Sequence, residues 1–280
     1  MTDDSPLIGA VIGSPVVHSL SPVIHAAAFK SSGRDGQYIA VDCTAENVAS
    51  VLADLVARGV VGISVTMPLK EEVISHLDDV SPDARFLQAV NCIAVSPSGL
   101  VGHNTDGEGC CDALSEQGHA TLRGAVAVVL GAGGTARSVA LSLVRRGSDV
   151  VVVNRTAERA HMLVDAMSLL GTQGSIRVGS PADVADAAIL VNATSVGMNS
   201  SEMPIDASHL HPGLVVLDAV YSPMETALLT AARNAGATVV DGLWMLIQQA
   251  RHQQMLWFGE NPAAKPMRDA AEQELARRRK

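Results

Sequence analysis

The chain has 280 residues, room for two domains or one large one. It is 48% hydrophobic and carries a net charge of −9, so a core is easily buried and the basic surface that a phosphate backbone needs is missing. No apolar run approaches membrane-spanning length, and the start Met1-Thr-Asp-Asp-Ser5 is acidic where a signal peptide is basic and then apolar. The expectation is a cytoplasmic protein acting on a small molecule, without nucleic-acid or membrane partners.

In chain order the pattern alternates between strands and helices, the mark of α/β layers with mostly parallel sheets. Leu7–Ile12 reads as a strand. Ser21 then reads as an N-cap, with Pro22 opening a helix to about Lys30. Strands are expected at Gln37–Val41 and Val61–Val65, and helices at Ala45–Arg58 and Pro68–Leu77. Val90–Val95 and Leu100–Gly102 read as a strand pair across the turn Ser96-Pro-Ser-Gly99, followed by a helix from Gly107 to Gln117. Further strands are expected near 126–130, 149–153, 176–178, 187–191, 214–217 and 237–240, with helices between them. Two helices, Gly242–Phe258 and Pro266–Arg278, close the chain. The basic end Arg277-Arg278-Arg279-Lys280 reads as a solvated tail that complements the helix dipole.

The strongest motif is Val126-Ala-Val-Val-Leu-Gly-Ala-Gly-Gly-Thr-Ala-Arg137, an apolar strand running into G-x-G-x-x-A and a helix. Gly131 allows the tight turn, Gly133 lets the backbone approach a pyrophosphate, and Ala136 keeps helix and sheet close. N–H groups at the helix start face the phosphates. The next strand ends in Asn154-Arg155-Thr156. An acidic residue there would bind the 2′-hydroxyl of NAD, whereas Arg155 suits a 2′-phosphate. NADP is therefore the expected cofactor.

Other residues are informative without being decisive alone. Ser19 and Ser21 flank a helix start, and in extended backbone they would project to one side, toward a docked carboxylate. Lys70 falls in the first turn of its expected helix, where a cation opposes the dipole. A residue that breaks a local rule is a candidate functional residue. Asn91 and Asp106 add an amide and a carboxylate near strand ends, where α/β proteins place ligands. Tyr221 follows a strand, and Gln249 lies in an apolar helix, where a solvent-facing position is the plain alternative. Cys43, Cys92, Cys110 and Cys111 lack C-x-x-C spacing and the nine histidines are scattered, so free thiols and no metal site are expected.

Taken together, these segments resemble the shikimate dehydrogenases. The resemblance rests on His18-Ser-Leu-Ser-Pro22, Val65-Thr-Met-Pro-Leu-Lys70, Ala89-Val-Asn91, Asn104-Thr-Asp-Gly107, Gly131-Ala-Gly-Gly-Thr-Ala136, Asn154-Arg-Thr156 and Gly242-Leu-Trp-Met-Leu-Ile-Gln-Gln-Ala250, in this order. It spans the chain from Ile8 to about Gly259. It implies an N-terminal α/β substrate domain (1–106), a Rossmann-type doubly wound NADP-binding domain (107–240), and C-terminal helices (241–280) returning to the first domain, with a cleft between the domains. It implies reversible reduction of 3-dehydroshikimate to shikimate with NADPH, on the route to chorismate and the aromatic amino acids, by a monomer or homodimer.

Carried over by motif, Ser19 and Ser21 would bind the substrate carboxylate, and Thr66, Asn91, Asp106 and Gln249 its ring hydroxyls. Lys70 would be the acid/base, paired with Asp106. Gly131, Ala132, Gly133, Gly134, Thr135 and Ala136 would hold the pyrophosphate, and Asn154, Arg155, Thr156 and Arg159 the adenosine phosphate. Thr194, Val220 and Gly242 would approach the nicotinamide, and Tyr221 the substrate. Two departures stand out: Ser64, where many members have Asn, and the bulky Trp244. The alternatives are an NAD-dependent quinate/shikimate dehydrogenase, an aminoshikimate dehydrogenase and a non-catalytic NADP-binding module. The first tends to carry an acid in place of Asn154-Arg155 and Thr in place of Ser21. The last has no use for Lys70 and Asp106 together.

Overall fold

The computed structural model describes residues 6–278. Met1–Ser5, Arg279 and Lys280, on which the acidic start and the end of the basic tail fall, lie outside the described residues. The described residues within Met1–Thr105 and Gln249–Lys280 form one compact unit, and Asp106–Gln248 form a second.

The first unit begins with β1 (Leu7–Gly13), α1 (Ser21–Ser31), β2 (Gln37–Asp42), α2 (Val48–Ala57) and β3 (Gly62–Val65). It continues through β4 (Asp79–Val80), α3 (Pro82–Leu87), β5 (Cys92–Ser96) and β6 (Gly99–His103). These strands make one six-stranded sheet in the order β2-β1-β3-β5-β6-β4. β1 is parallel to β2 and β3, but β5 runs antiparallel to both β3 and β6. That reversal matters for function. It brings the start of β5 level with the ends of β1, β3 and β6, so the segments after Gly13, Val65 and His103 and the segment before Cys92 share one edge.

Alternate residues of β1 serve opposite faces of the sheet. Ala10 and Ile12 join the core under α2, with Leu52, Leu55, Ile63 and Val65. Val11 faces a second cluster with Val16, Phe29 and Tyr38. The chain's few aromatic residues concentrate there, around the buried His25, whose ring stacks on Tyr38 at 4.3 Å between centroids.

The second unit comprises α4 (Asp106–Glu116), β7 (Val126–Leu130), α5 (Gly134–Arg145), β8 (Asp149–Val153), α6 (Ala157–Ser168) and β9 (Ile176–Val178). It goes on with β10 (Ile189–Asn192), β11 (Val215–Asp218), α7 (Ala227–Asn234) and β12 (Thr238–Val240). All strand pairs are parallel, in the order β12-β11-β10-β7-β8-β9. The chain moves outward from β7 to β8 and β9, then restarts on the other side of β7 with β10. Open α/β sheets bind ligands at such a switch point, beyond the carboxyl ends of the strands. Val128, Val151, Leu190 and Val216 form the centre of its core. α8 (Gly242–Phe258) begins in the second unit and continues into the first, where α9 (Ala264–Arg278) follows.

Several local expectations fail for identifiable reasons. Ser21 is the first helical residue of α1, and Leu20 takes the N-cap position. Residues 45–47 form a turn in which the Thr44 N–H is held by Asn47 Oδ1 at 2.8 Å, so α2 starts later than expected. The expected helix Pro68–Leu77 is a series of turns and a short 3-10 segment, Glu72–His76. The Leu69 N–H closes a turn on Thr66 O at 3.0 Å, and the Lys70 carbonyl accepts from Val90 N–H at 2.7 Å, outside any helical ladder. β4 and α3 carried no recognised signal, although Ser81-Pro82 caps α3 and Ser81 Oγ accepts from Ala84 N–H. The basic end is not simply solvated. Arg278 pairs with Glu274 at 2.7 Å and donates to the carbonyls of His18 at 2.7 Å and Ser19 at 3.2 Å.

Candidate functional site

Two groups of candidate residues can be built separately, one in each unit. In the first unit the shared edge of the sheet gathers Ser19, Ser21, Thr66, Lys70, Asn91 and Thr105. Ser19-Leu20-Ser21 is not extended, since Leu20 has helical dihedrals. The two serines are brought together by a turn, in which Ser19 Oγ accepts from Ser21 N–H at 3.2 Å. With a lone pair engaged this way, the Ser19 hydroxyl proton is turned toward other acceptors. Thr66 hangs from the end of β1, its N–H bonded to Ile12 O at 2.9 Å.

Asn91 and Gln249 are both buried. Asn91 Oδ1 accepts from the backbone N–H of Thr105 at 2.8 Å, and Asn91 Nδ2 donates to Thr105 Oγ1 at 3.0 Å and to Gln249 Oε1 at 3.2 Å. The amide next to Lys70's backbone partner thus holds the residue before Asp106. The solvent-facing alternative for Gln249 is ruled out. Behind it lies a polar chain of the buried Tyr38, Ser64 and Gln253, of which the sequence singles out only Ser64. A signal was present, because Gln249 and Gln253 stand four residues apart on one face of an apolar helix. His25 accepts from Gln254 Nε2 at 2.7 Å, and burial pushes its pKa down to about 3. It is neutral at ordinary pH.

In the second unit the strand order sets Gly242, Val220, Thr194, Gly131 and Asn154 along one edge. Gly131 has φ +113°, and a Cβ there would press on Ala193 O and Thr194 Cγ2, both at 3.2 Å. A Cβ on Gly133 or Gly134 would meet nothing within 4 Å. Open space therefore lies before the start of α5, whose cap, Gly133, offers no side chain. The first intrahelical bond there is Arg137 N–H to Gly133 O, so the N–H groups of Gly134, Thr135 and Ala136 precede the ladder. Ala132 lies in the turn, and Ala136 is fully buried, as close helix–sheet packing requires. This is a cradle for a pyrophosphate.

β8 places Asn154-Arg155-Thr156 beside the cradle, since Gly131 N–H bonds to Val153 O at 2.8 Å. Asn154 Nδ2 closes the turn on Thr156 O at 2.8 Å, and Thr156 takes the N-cap position of α6 without a side-chain capping bond. Arg155 and Arg159 are exposed around the start of α6 and make no ion pair among the described residues. Two cations at a helix N-terminus are unfavourable unless an anion joins them. The residues present therefore fit a dinucleotide with an extra phosphate.

On the far side of β7 the loops after β10 and β11 are tied by Asp218, a buried carboxylate that was not singled out from sequence. It accepts from Asn192 Nδ2 at 2.8 Å, Val220 N–H at 3.1 Å and Thr226 Oγ1 at 2.7 Å. Burial pushes its carboxyl pKa up, and these hydrogen bonds oppose the rise. Asn192 Oδ1 in turn holds Thr194 through its N–H and hydroxyl. Val220 and Thr194 are thus fixed by one polar lattice, with Tyr221 next in the chain. A Cβ on Gly242 would lie 2.6 Å from Ala219 O, so only glycine lets α8 start there. Trp244 stands in the first turn of α8, its N–H on Asp241 O at 3.1 Å.

Among the described residues, no group of three or more His, Cys, Asp or Glu side chains is arranged to hold a metal ion, and no helix is long and apolar enough to cross a membrane. All four cysteines are free and buried.

Comparison with known proteins bears on both units. The family model of the shikimate dehydrogenase substrate binding domain matches residues 11–93, and that of shikimate / quinate 5-dehydrogenase matches residues 113–197. The shikimate dehydrogenase (NADP(+)) of Natronomonas pharaonis is 42% identical over 267 residues, covering 95% of this chain and 98% of that protein. The structure of shikimate 5-dehydrogenase from Thermus thermophilus in complex with NADP(H) and shikimate is 38% identical, with a TM-score of 0.87 over 95% of this chain and 99% of that one. Quinate dehydrogenase from Corynebacterium glutamicum in complex with NAD is 32% identical, with a TM-score of 0.85 over 96% of this chain and 99% of that one.

Proposed function

Because the chain belongs to the shikimate dehydrogenase family, we propose that it catalyses the reversible NADPH-dependent reduction of 3-dehydroshikimate to shikimate. What supports this most directly is the gathering of Lys70, Asn91 and Thr105 at one edge of the first sheet, with Asp106 next in the chain. It is held by the Val90–Lys70 backbone bond at 2.7 Å and the Thr105–Asn91 bond at 2.8 Å. On this reading the unit with the mixed sheet takes the substrate, and Asp106–Gln248 takes NADP. The free thiols suit a reducing compartment, the cytoplasm.

NADPH, when bound, supplies the hydride. The chain supplies the rest. Ser19 and Ser21, with the start of α1, hold the substrate carboxylate. Lys70 gives the proton from Nζ to the carbonyl oxygen as it becomes a hydroxyl, and takes it back in the reverse direction. Asp106 orients that amine and accepts from a ring hydroxyl, while Thr66, Asn91, Gln249 and Tyr221 fix the ring. Gly131–Ala136 bind the pyrophosphate, Asn154, Arg155, Thr156 and Arg159 the 2′-phosphate end, and Thr194, Val220 and Gly242 the nicotinamide end. The experiment that tests the reading is a steady-state assay of shikimate and of quinate, each with NADP and with NAD. Turnover is expected to be greatest for shikimate with NADP; preference for quinate with NAD would overturn it.

Ser19→Ala and Ser21→Ala are each expected to raise the KM for shikimate about tenfold, the worth of one hydrogen bond to a charged group, and to spare the KM for NADP. An analogue lacking the carboxylate is expected to bind the wild type poorly and lose little more on mutation. Normal shikimate binding by both variants would reduce the motif to a helix entrance.

A further inference from the structure

The carboxamide of Gln249 can be set in two ways that differ by a half-turn, offering a ligand either an acceptor oxygen or a donor NH2. In this chain the choice is dictated by groups whose hydrogen-bonding role cannot change. The backbone carbonyl of Asn91 can only accept. Gln253 approaches it at 3.2 Å, so the group placed there is Nε2. Gln253 Oε1 then faces the Ser64 hydroxyl at 2.6 Å, and Ser64 must donate. Ser64 in turn accepts from the Tyr38 hydroxyl at 2.6 Å. Gln253 Nε2 also reaches Gln249 at 2.8 Å, so the atom that receives it is Oε1.

A second anchor gives the same answer from the other side. The backbone N–H of Thr105 can only donate, and it holds Asn91 Oδ1 at 2.8 Å. That turns Asn91 Nδ2 onto the same Gln249 oxygen at 3.2 Å. Every side chain in this lattice is buried. Turning Gln249 over would set NH2 against NH2 twice, with both losses falling in the interior, where unpaired polar groups are most costly.

We infer that Gln253, braced by Ser64 and Tyr38, is a positioning residue of the substrate site: it holds the oxygen of Gln249 inward, so that Gln249 meets substrate through its NH2 as a donor. This rests on the reading that Gln249 binds a ring hydroxyl. Gln253 stands one turn beyond Gln249 on α8 and links it to Ser64. The substrate oxygen opposite Gln249 must therefore accept. An ammonium at that ring position, which has donors and no lone pair, is discriminated against.

The test is a double-mutant cycle on the full-length enzyme. Gln253→Met keeps an unbranched side chain of similar length but can neither accept from Ser64 nor donate to Gln249. It is expected to raise the KM for shikimate about three- to tenfold, leaving kcat and the KM for NADP unchanged. In a Gln249→Ala background the same substitution is expected to add nothing, because Gln253 acts through Gln249. Tyr38→Phe, a smaller change in packing, is expected to move shikimate KM in the same direction and to lose its effect in that background. Equal effects of Gln253→Met in both backgrounds, or an unchanged KM in the Gln249-containing enzyme, would overturn the inference. Gln249→Ala alone checks the underlying reading: an unaltered KM for shikimate would remove Gln249 from the substrate site, and this inference with it.

Discussion

Lys70→Ala is expected to lower kcat by about 10²–10⁴-fold, the usual contribution of a positioned acid/base group. The KM for shikimate is expected to change much less. A loss confined to kcat belongs to an interaction made in the transition state. The local structure makes this a clean measurement. Lys70 is anchored through its backbone, by its carbonyl to Val90 N–H at 2.7 Å. The preceding Leu69 is fully buried and accepts from Val73 N–H at 2.9 Å. None of these anchors uses the lysine side chain, so its removal leaves these backbone bonds in place. Asp106→Ala is expected to harm both kcat and KM, since Asp106 is assigned both to the amine and to a ring hydroxyl. Near-normal kcat in Lys70→Ala would leave the proton donor to another group.

The sequence was most legible where chemistry and periodicity coincide. The strand–glycine turn–helix at Val126–Arg137 needs particular residues at fixed spacing, and β7 and α5 lie where that pattern sets them. Lys70 was singled out for a reason that does not hold. It was read as a cation opposing a helix dipole, yet no α-helix starts at Pro68. The apolar spacing of Leu69, Val73 and Leu77 suits a helix, but in the folded chain the Lys70 carbonyl turns sideways to Val90. Tertiary pairing overrode local periodicity. The lattices around Gln253 and Asp218 are hardly legible in the sequence, which marks them only by the spacing of Gln249 and Gln253 and by the unusual Ser64. Each joins residues far apart in sequence, such as Tyr38, Ser64 and Gln253, and a single glutamine or strand-end aspartate carries no mark of its partners. Such buried polar groups become informative only when their donors and acceptors can be matched in space.

Arg155→Ala is expected to raise the KM for NADP about ten- to a hundredfold, the cost of losing a charge-assisted contact to the 2′-phosphate. The KM for NAD, which lacks that phosphate, is expected to stay nearly unchanged. The division of labour in this turn explains why the effect falls on Arg155. Asn154 spends its amide on Thr156 O at 2.8 Å, holding the turn. Thr156 takes the N-cap position of α6. The exposed guanidinium of Arg155 has no such structural duty, and Arg159 stands one turn further along α6 as a second cation. Without an anion both work against the positive end of the helix, with only Glu158 in the first turn to favour it. Removing Arg155 is therefore expected to leave the apoprotein's thermal midpoint unchanged or slightly higher, while weakening the rise that NADP produces. That pairing of outcomes separates a phosphate-binding residue from a structural one: a structural arginine would lower the midpoint without cofactor and raise both KM values together. Equal losses for NADP and NAD would mean that the 2′-phosphate is held elsewhere.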